Sequence, residues 1–211
     1  MMNHTNQSGR SMIEMLGVLA IIGVLSVGGI AGYSKAMMKF KINKTIDQIS
    51  QIVANTRTLY ARQKNYGNLS EKIVYKANLA PKEMFEGSGS DYAMTNAFGG
   101  EVHLATSGLY ARGDKKAFIL AMGEIPDEAC IELITQDWGS DTSSGLVAVG
   151  SVNASPNAAL GDSSYEIYKG CSGNSYYACP NGSSVSVPMS VDRAVELCDR
   201  NGYNTLVLKY Y

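Results

Sequence analysis

From Met15 to Tyr33 the chain carries no charged residue: MLGVLAIIGVLSVGGIAGY. As a helix, with about 1.5 Å of rise per residue, this run spans about 30 Å, the thickness of a bilayer's hydrocarbon core. It is apolar on every side, which predicts a membrane-spanning helix rather than a core helix with one polar face. The pattern then changes. Met38, Ile42, Ile46, Ile49, Ile52 or Val53, Thr56 and Leu59 recur every three or four positions, with Lys35, Lys39, Lys41, Lys44, Arg57 and Arg62 between them. No Gly or Pro interrupts from Tyr33 to Tyr66, and Gly67 supplies a stop. One helix is therefore expected from Ser11 to about Asn65. Its first half (10–34) is the membrane half, and its second half (35–66) is amphipathic and lies against a globular head.

Past Gly67 the period shortens. Glu101–Thr106 and Ala117–Met122 read as two strands with a Gly113-Asp114 turn between them, Gly145–Val152 as a third, and Asn204–Tyr211 as a terminal fourth. Ile125 to Ile134 reads as a helix with Pro126 at its first position and acids in its first turn. Ala194–Cys198 lies on a second helix closing at Asn201-Gly202. Residues 67–100 are expected to be the loop joining helix to sheet. Ser140–Ser144 and Ser151–Ser164 are expected to be polar, solvent-facing loops. The head (67–211) is thus α+β, a long N-terminal α-helix packed on an antiparallel sheet.

The chain has 211 residues, room for one domain and an appendage. Eighteen Lys/Arg against nineteen Asp/Glu give a net charge of −1, which excludes a nucleic-acid partner held by bulk positive charge. The charge is segregated, however. Residues 35–64 hold seven Lys/Arg against Asp47 alone, and residues 65–211 hold ten against seventeen Asp/Glu. A basic helix and an acidic head are expected to attract between neighbouring copies.

Chemistry is sparse. His4 and His103 are the only histidines, and no G-x-S-x-G, P-loop, H-E-x-x-H or dinucleotide fingerprint occurs. No catalytic residue, cofactor or metal is expected, and the chain does not read as an enzyme. Asp137, Asp141 and Asp162 lack calcium-loop spacing. Arg112-Gly113-Asp114 reads as a hairpin turn. Cys130, Cys171, Cys179 and Cys198 all lie in the head, even in number and without C-x-x-C, which points to disulfides in an oxidising compartment. The lysines after the apolar run would place the head in the cytoplasm by the positive-inside rule. The cysteines are given the greater weight. Four cysteines allow three pairings.

Ahead of the apolar run stands Gly9-Arg10-Ser11-Met12-Ile13-Glu14. Glycine, four residues, a glutamate and a long apolar helix resemble the processing site of type IV prepilins. The resemblance implies a leader of residues 1–9, removed by a prepilin peptidase between Gly9 and Arg10, with methylation of the new amine on Arg10. It implies that Glu14 pairs with the N-terminal amine of a neighbouring subunit. Opposite charges that meet in an apolar filament cancel each other's desolvation penalty, and a slip in register leaves both unpaired. Arg10 departs from the apolar first residue usual in the family, and it can also reach Glu14 at i,i+4 in its own chain. Gly28 and Gly32 form a G-x-x-x-G that permits close helix packing.

The region from 125 to 211 resembles that of type IVb pilins and the major pilins of conjugative thin pili. That resemblance implies a Cys130–Cys198 disulfide bounding a C-terminal region (130–198), with Cys171–Cys179 stapling a turn-rich loop. The implied function is a structural subunit held in the inner membrane and then polymerised into an extracellular fibre for adhesion, conjugation contact or motility. Its partners would be further pilin subunits, the prepilin peptidase, an inner-membrane assembly platform and, before assembly, the lipid bilayer. Two alternatives differ in prediction. A pseudopilin of a type II secretion system would share the helix in a short periplasmic fibre. A single-span anchored periplasmic binding domain would keep its N-terminus and tolerate Glu14→Ala.

Overall fold

The computed structural model describes residues 12–86, 92–109, 113–160, 177–178, 187–198 and 204–211. Gly9, Arg10, Cys171, Cys179, Asp162, Arg112 and the Asn201-Gly202 stop fall outside them. The chain divides into two compact units, one up to Phe40 and one from Lys41 to Tyr211.

Helix α1 runs Met12–Tyr60. In the first unit every position from 12 to 36 is exposed. In the second unit it buries Ile42, Thr45, Gln48, Ile49, Ile52, Val53, Thr56 and Tyr60 along one face. This corrects the expected stripe at two points. Leu59 is exposed and Tyr60 is buried in its place, and Thr45 and Gln48 join the buried face. The helix also stops about five residues short of Asn65. The Tyr60 ring packs on Tyr66 at 5.0 Å, and Tyr66 packs on Phe118 at 4.9 Å. The Tyr66 N–H donates to the Lys115 carbonyl at 2.8 Å, so aromatic packing and a sheet-side acceptor turn the chain before the helical pattern ends.

Residues 67–100 are more than a loop. They hold helix α2 (Glu71–Lys76), a 3-10 turn (Lys82–Phe85) and strand β1 (Met94–Thr95). Single buried residues, Val74 in α2 and Met84 in the turn, anchor these short pieces, and elements that short show no period in a sequence. The sheet then follows as β2 (Glu101–Ser107), β3 (Ala117–Ile125), β4 (Leu146–Val152), β5 (Tyr177–Ala178) and β6 (Asn204–Tyr210). Its order is β1-β2-β3-β6-β4-β5, and every neighbour is antiparallel. Sequence-terminal β6 thus lies in the interior, buried at all seven positions.

Strand alternation assigns the faces. Phe118, paired with Tyr210, and Leu120, paired with Leu208, lie on the side where Tyr66 and α1 pack. Ile119, Ala121, Ala148 and Val207 lie on the other, under helix α4 (Pro156–Leu160) through Ala159. The segment expected as a polar loop from Ser151 is therefore corrected. Ser151 belongs to β4 and is fully buried, and α4 covers the sheet. A small-residue, Ser-rich run looks like a loop, yet small side chains are what permit a short helix to lie close on a sheet. Helices α3 (Asp127–Thr135) and α5 (Val191–Cys198) complete the head, with Pro126 preceding α3 as its N-cap rather than opening it.

Two glycines are required by close approach. A Cβ on Gly100 would meet the Gly123 carbonyl oxygen at 2.1 Å, where Asn96 also donates to that oxygen. Gly145 has φ +77, and its Cβ would meet the Arg57 guanidinium at 2.6 Å.

Candidate functional site

The first unit presents one chemical surface. Met12, Ile13, Leu16, Leu19, Val24 and Ile30 all stand exposed on α1, with Glu14 as the acid of its first turn. That window is long and apolar enough to cross a membrane, and none of it is buried. An exposed stretch this size demands either lipid or other apolar helices. Gly28 and Gly32 fall on one face, a turn apart, and an added Cβ on either would meet nothing within 4 Å. Among the described residues, no neighbour requires their lack of side chains. The Ser34 hydroxyl donates to the Ile30 carbonyl at 3.0 Å, the usual way a hydroxyl satisfies itself on such a helix.

The second unit fixes α1 by a different chemistry. Asn55 donates to the Leu79 carbonyl at 3.1 Å, Lys44 pairs with Glu83 at 3.2 Å, and Lys41 lies over the Phe98 ring at 5.7 Å. Arg57 donates to the Ser144 carbonyl. Lys44–Glu83 is a contact between basic helix and acidic head within one chain, distinct from the attraction expected between copies. Cys130 and Cys198 form a disulfide, with an S–S distance of 2.02 Å, joining α3 to α5 with Cα atoms 5.8 Å apart. Asn204, at the start of β6, donates to Asp127 at 2.6 Å and to the Ile125 carbonyl at 3.2 Å, tying α3 to the sheet. Trp138 donates through Nε1 to the Leu133 carbonyl, and its own carbonyl accepts from the Tyr210 hydroxyl.

The residues weighed for chemistry serve structure. His103 Nδ1 lies 2.6 Å from Glu71 Oε1 and its Nε2 lies 3.5 Å from Glu101 Oε2, so it bridges α2 and the sheet. Asp114 Oδ1 accepts from the N–H groups of Leu109 and Lys116, closing the β2–β3 turn. Asp137 and Asp141 accept backbone N–H groups in their own turns. Among the described residues no three His, Cys, Asp or Glu side chains converge as metal ligands. Lys209 was missed by sequence reasoning. It is fully buried on β6, where desolvation pulls its ammonium down to about 8 against the opposing pull of Asp114. It shares a sheet face with Val207, and the available signal was a lysine interrupting the apolar run of β6.

A long helix bare at one end, an antiparallel sheet and a disulfide-bounded C-terminal region define the type IV pilin fold. Two solved structures share it: a type IVb pilin from Salmonella typhi (TM-score 0.51, 18% identity, covering 80% of this chain and 98% of that one) and TcpA, a type IV pilin from Vibrio cholerae El Tor biotype (0.52, 14%, 81% and 99%). Residues 39–210 match the family described as PilS N terminal, and the chain belongs to that family. Two relatives, each 24% identical, are the major structural subunits of the bundle-forming pilus in Escherichia coli O111:H- and in Escherichia coli O127:H6 (strain E2348/69 / EPEC). The first aligns over 152 residues (72% of this chain, 76% of the relative) and the second over 139 (66% and 69%). The class is structural and not enzymatic.

Proposed function

We propose that this chain is the major structural subunit of a type IVb pilus, extracellular once assembled and used for adhesion, conjugation contact or motility. The observation that carries the reading is the charge-free run Met15–Tyr33, fully exposed on an unbroken helix of a pilin fold. Water tolerates that surface poorly. The bilayer accepts it in the precursor, and the apolar centre of a fibre accepts it afterwards. The head of the precursor lies in the periplasm, where Cys130–Cys198 and Cys171–Cys179 oxidise.

Processing follows from Gly9-Arg10. A prepilin peptidase cuts between them and Arg10 becomes the methylated N-terminus. Glu14 then pairs with the amine of a neighbour as the assembly platform adds each subunit, and Gly28 and Gly32 admit the neighbouring helix closely. An intact mass taken on protein from its native bacterium tests the pathway. The expected mass is residues 10–211 plus one methyl, gaining two hydrogens for each of two bridges on reduction. A mass for residues 1–211 removes the reading in favour of an anchored periplasmic domain.

A further inference from the structure

The apolar run of α1 does not give way abruptly to its charged part. Between Tyr33, where the charge-free run ends, and Phe40, where the first unit ends, the helix makes about two turns. At about 100° per residue, Tyr33, Ala36, Met37 and Phe40 fall on one face and Lys35 on the opposite one. Tyr33 is 67% exposed and Phe40 59%. Lys35 is exposed as well, and it has no hydrogen bond or ion pair among the described residues. Farther along, Lys41 and Lys44 are taken up by Phe98 and Glu83. No Asp or Glu stands anywhere from Met15 to Ile46, so this length of helix offers Lys35 no anion.

Water, hydrocarbon and the layer between them favour different side chains. Hydrocarbon penalises the Lys35 ammonium, and water gains nothing from the rings of Tyr33 and Phe40. The headgroup layer accepts both kinds. Aromatic rings settle there, and a lysine stem lets its ammonium reach the phosphates. The length fits. With Met15–Tyr33 filling the hydrocarbon core, Phe40 lies about 10 Å beyond it along the axis. Side chains of a helix tilt toward its N-terminus, so the Phe40 ring leans back toward the bilayer. The Ser34 hydroxyl, already donating to the Ile30 carbonyl, enters the same layer with its donor satisfied.

We propose that Tyr33, Lys35 and Phe40 form a headgroup anchor on α1, with both rings seated at the lipid interface and Lys35 paired with an anionic phospholipid. The anchor presupposes the membrane-held precursor of the pilin reading and adds its lipid partner. It also gives Lys35 a place outside the cytoplasm. The ammonium binds phosphate at the leaflet where it stands, which offsets the preference expressed in the positive-inside rule.

Bromine quenching in vesicles tests the anchor on the full-length chain. Phe40→Trp and, separately, Tyr33→Trp place an indole at each site. Both positions are exposed, so the packing of the head is untouched, and native Trp138, buried in the head, sets the background. The vesicles are phosphatidylcholine brominated on the upper acyl carbons, with or without phosphatidylglycerol. Quenching in Phe40→Trp is expected to exceed the Trp138 background and to be about twofold stronger with phosphatidylglycerol than without. Adding Lys35→Gln to that variant should remove the difference. An indole at position 40 quenched no more than Trp138 overturns the proposal, and so does quenching indifferent to phosphatidylglycerol or to Lys35. The Tyr33→Trp arm separates the anchor from the reading beneath it. Quenching at 33 with none at 40 removes the anchor and leaves the membrane span standing, whereas no quenching at either site removes the span as well.

Discussion

From Met12 to Ala36 every residue of α1 is exposed. From Lys41 onward the same kind of backbone is buried along one stripe. The two regions share helical geometry and differ in side-chain pattern, the first apolar all round and the second amphipathic. In the second, the sheet removes Ile42, Ile49 and Ile52 from water and adds to the stability of the head. In the first, equally apolar side chains such as Leu19, Val24 and Ile30 are exposed, so they add no buried area to the head. Their hydrophobic free energy is available only to lipid or to another chain. The difference teaches that stability and assembly are encoded on separate lengths of one helix.

Substitutions in each region break or sharpen that contrast. The largest effect is expected from Glu14→Ala, which should leave the protein made, cut and oxidised but nearly abolish sheared fibres, as read by electron microscopy and immunoblot. Next, Ile49→Ala should cost the head about 2–5 kcal/mol by emptying a filled site, while Leu19→Ala should leave its thermal unfolding unchanged. Comparable losses in both variants would erase the distinction between the regions. Loss of the bridge in Cys130→Ser should likewise destabilise the head by about 2–5 kcal/mol, seen in urea unfolding, without altering cleavage.

The pH response should come only from the head. Lys209 titrates near 8 when folded and near 10.5 when unfolded, so between those values the unfolded state binds more protons. Stability contributed through Lys209 therefore rises with pH across that window. Buried Tyr60, Tyr66 and Tyr210 are raised above their ordinary 10.0 by desolvation, so above that pH the folded state holds more protons and stability falls. Denaturant titrations at pH 7.5, 9 and 10 should show the rise in the wild type and lose it in Lys209→Met. The smallest effect belongs to Gly28→Ala, which should improve helix propensity by about 1 kcal/mol in the precursor, with any damage confined to fibre yield.

Much of this architecture is legible in residue order. A charge-free run and a helical period need no tertiary partner to be recognised, and neither do four strands, although the second runs on to Ile125, past its expected end at Met122 and into the residue expected to open the next helix. The short pieces α2, β1 and α4 were hidden because each depends on one or two contacts, such as Val74 in α2 or Ala159 beneath α4, rather than on a repeating pattern. The polar positions Thr45, Gln48 and Ser151 read as surface and are buried by what packs above them.

By itself the sequence determined that one helix is apolar all round at its start, carries an acid at its edge and turns amphipathic near Met38. Those are local properties, set by side chains at successive positions. Only the tertiary structure decided that β6 enters the middle of the sheet, that Lys209 loses its water there, that Arg57, Lys64 and Lys116 line one groove, and that a disulfide joins α3 to α5. Such groupings join residues far apart in the chain, and the closure that brings them together is stabilised by burial of the whole sheet rather than by any segment alone.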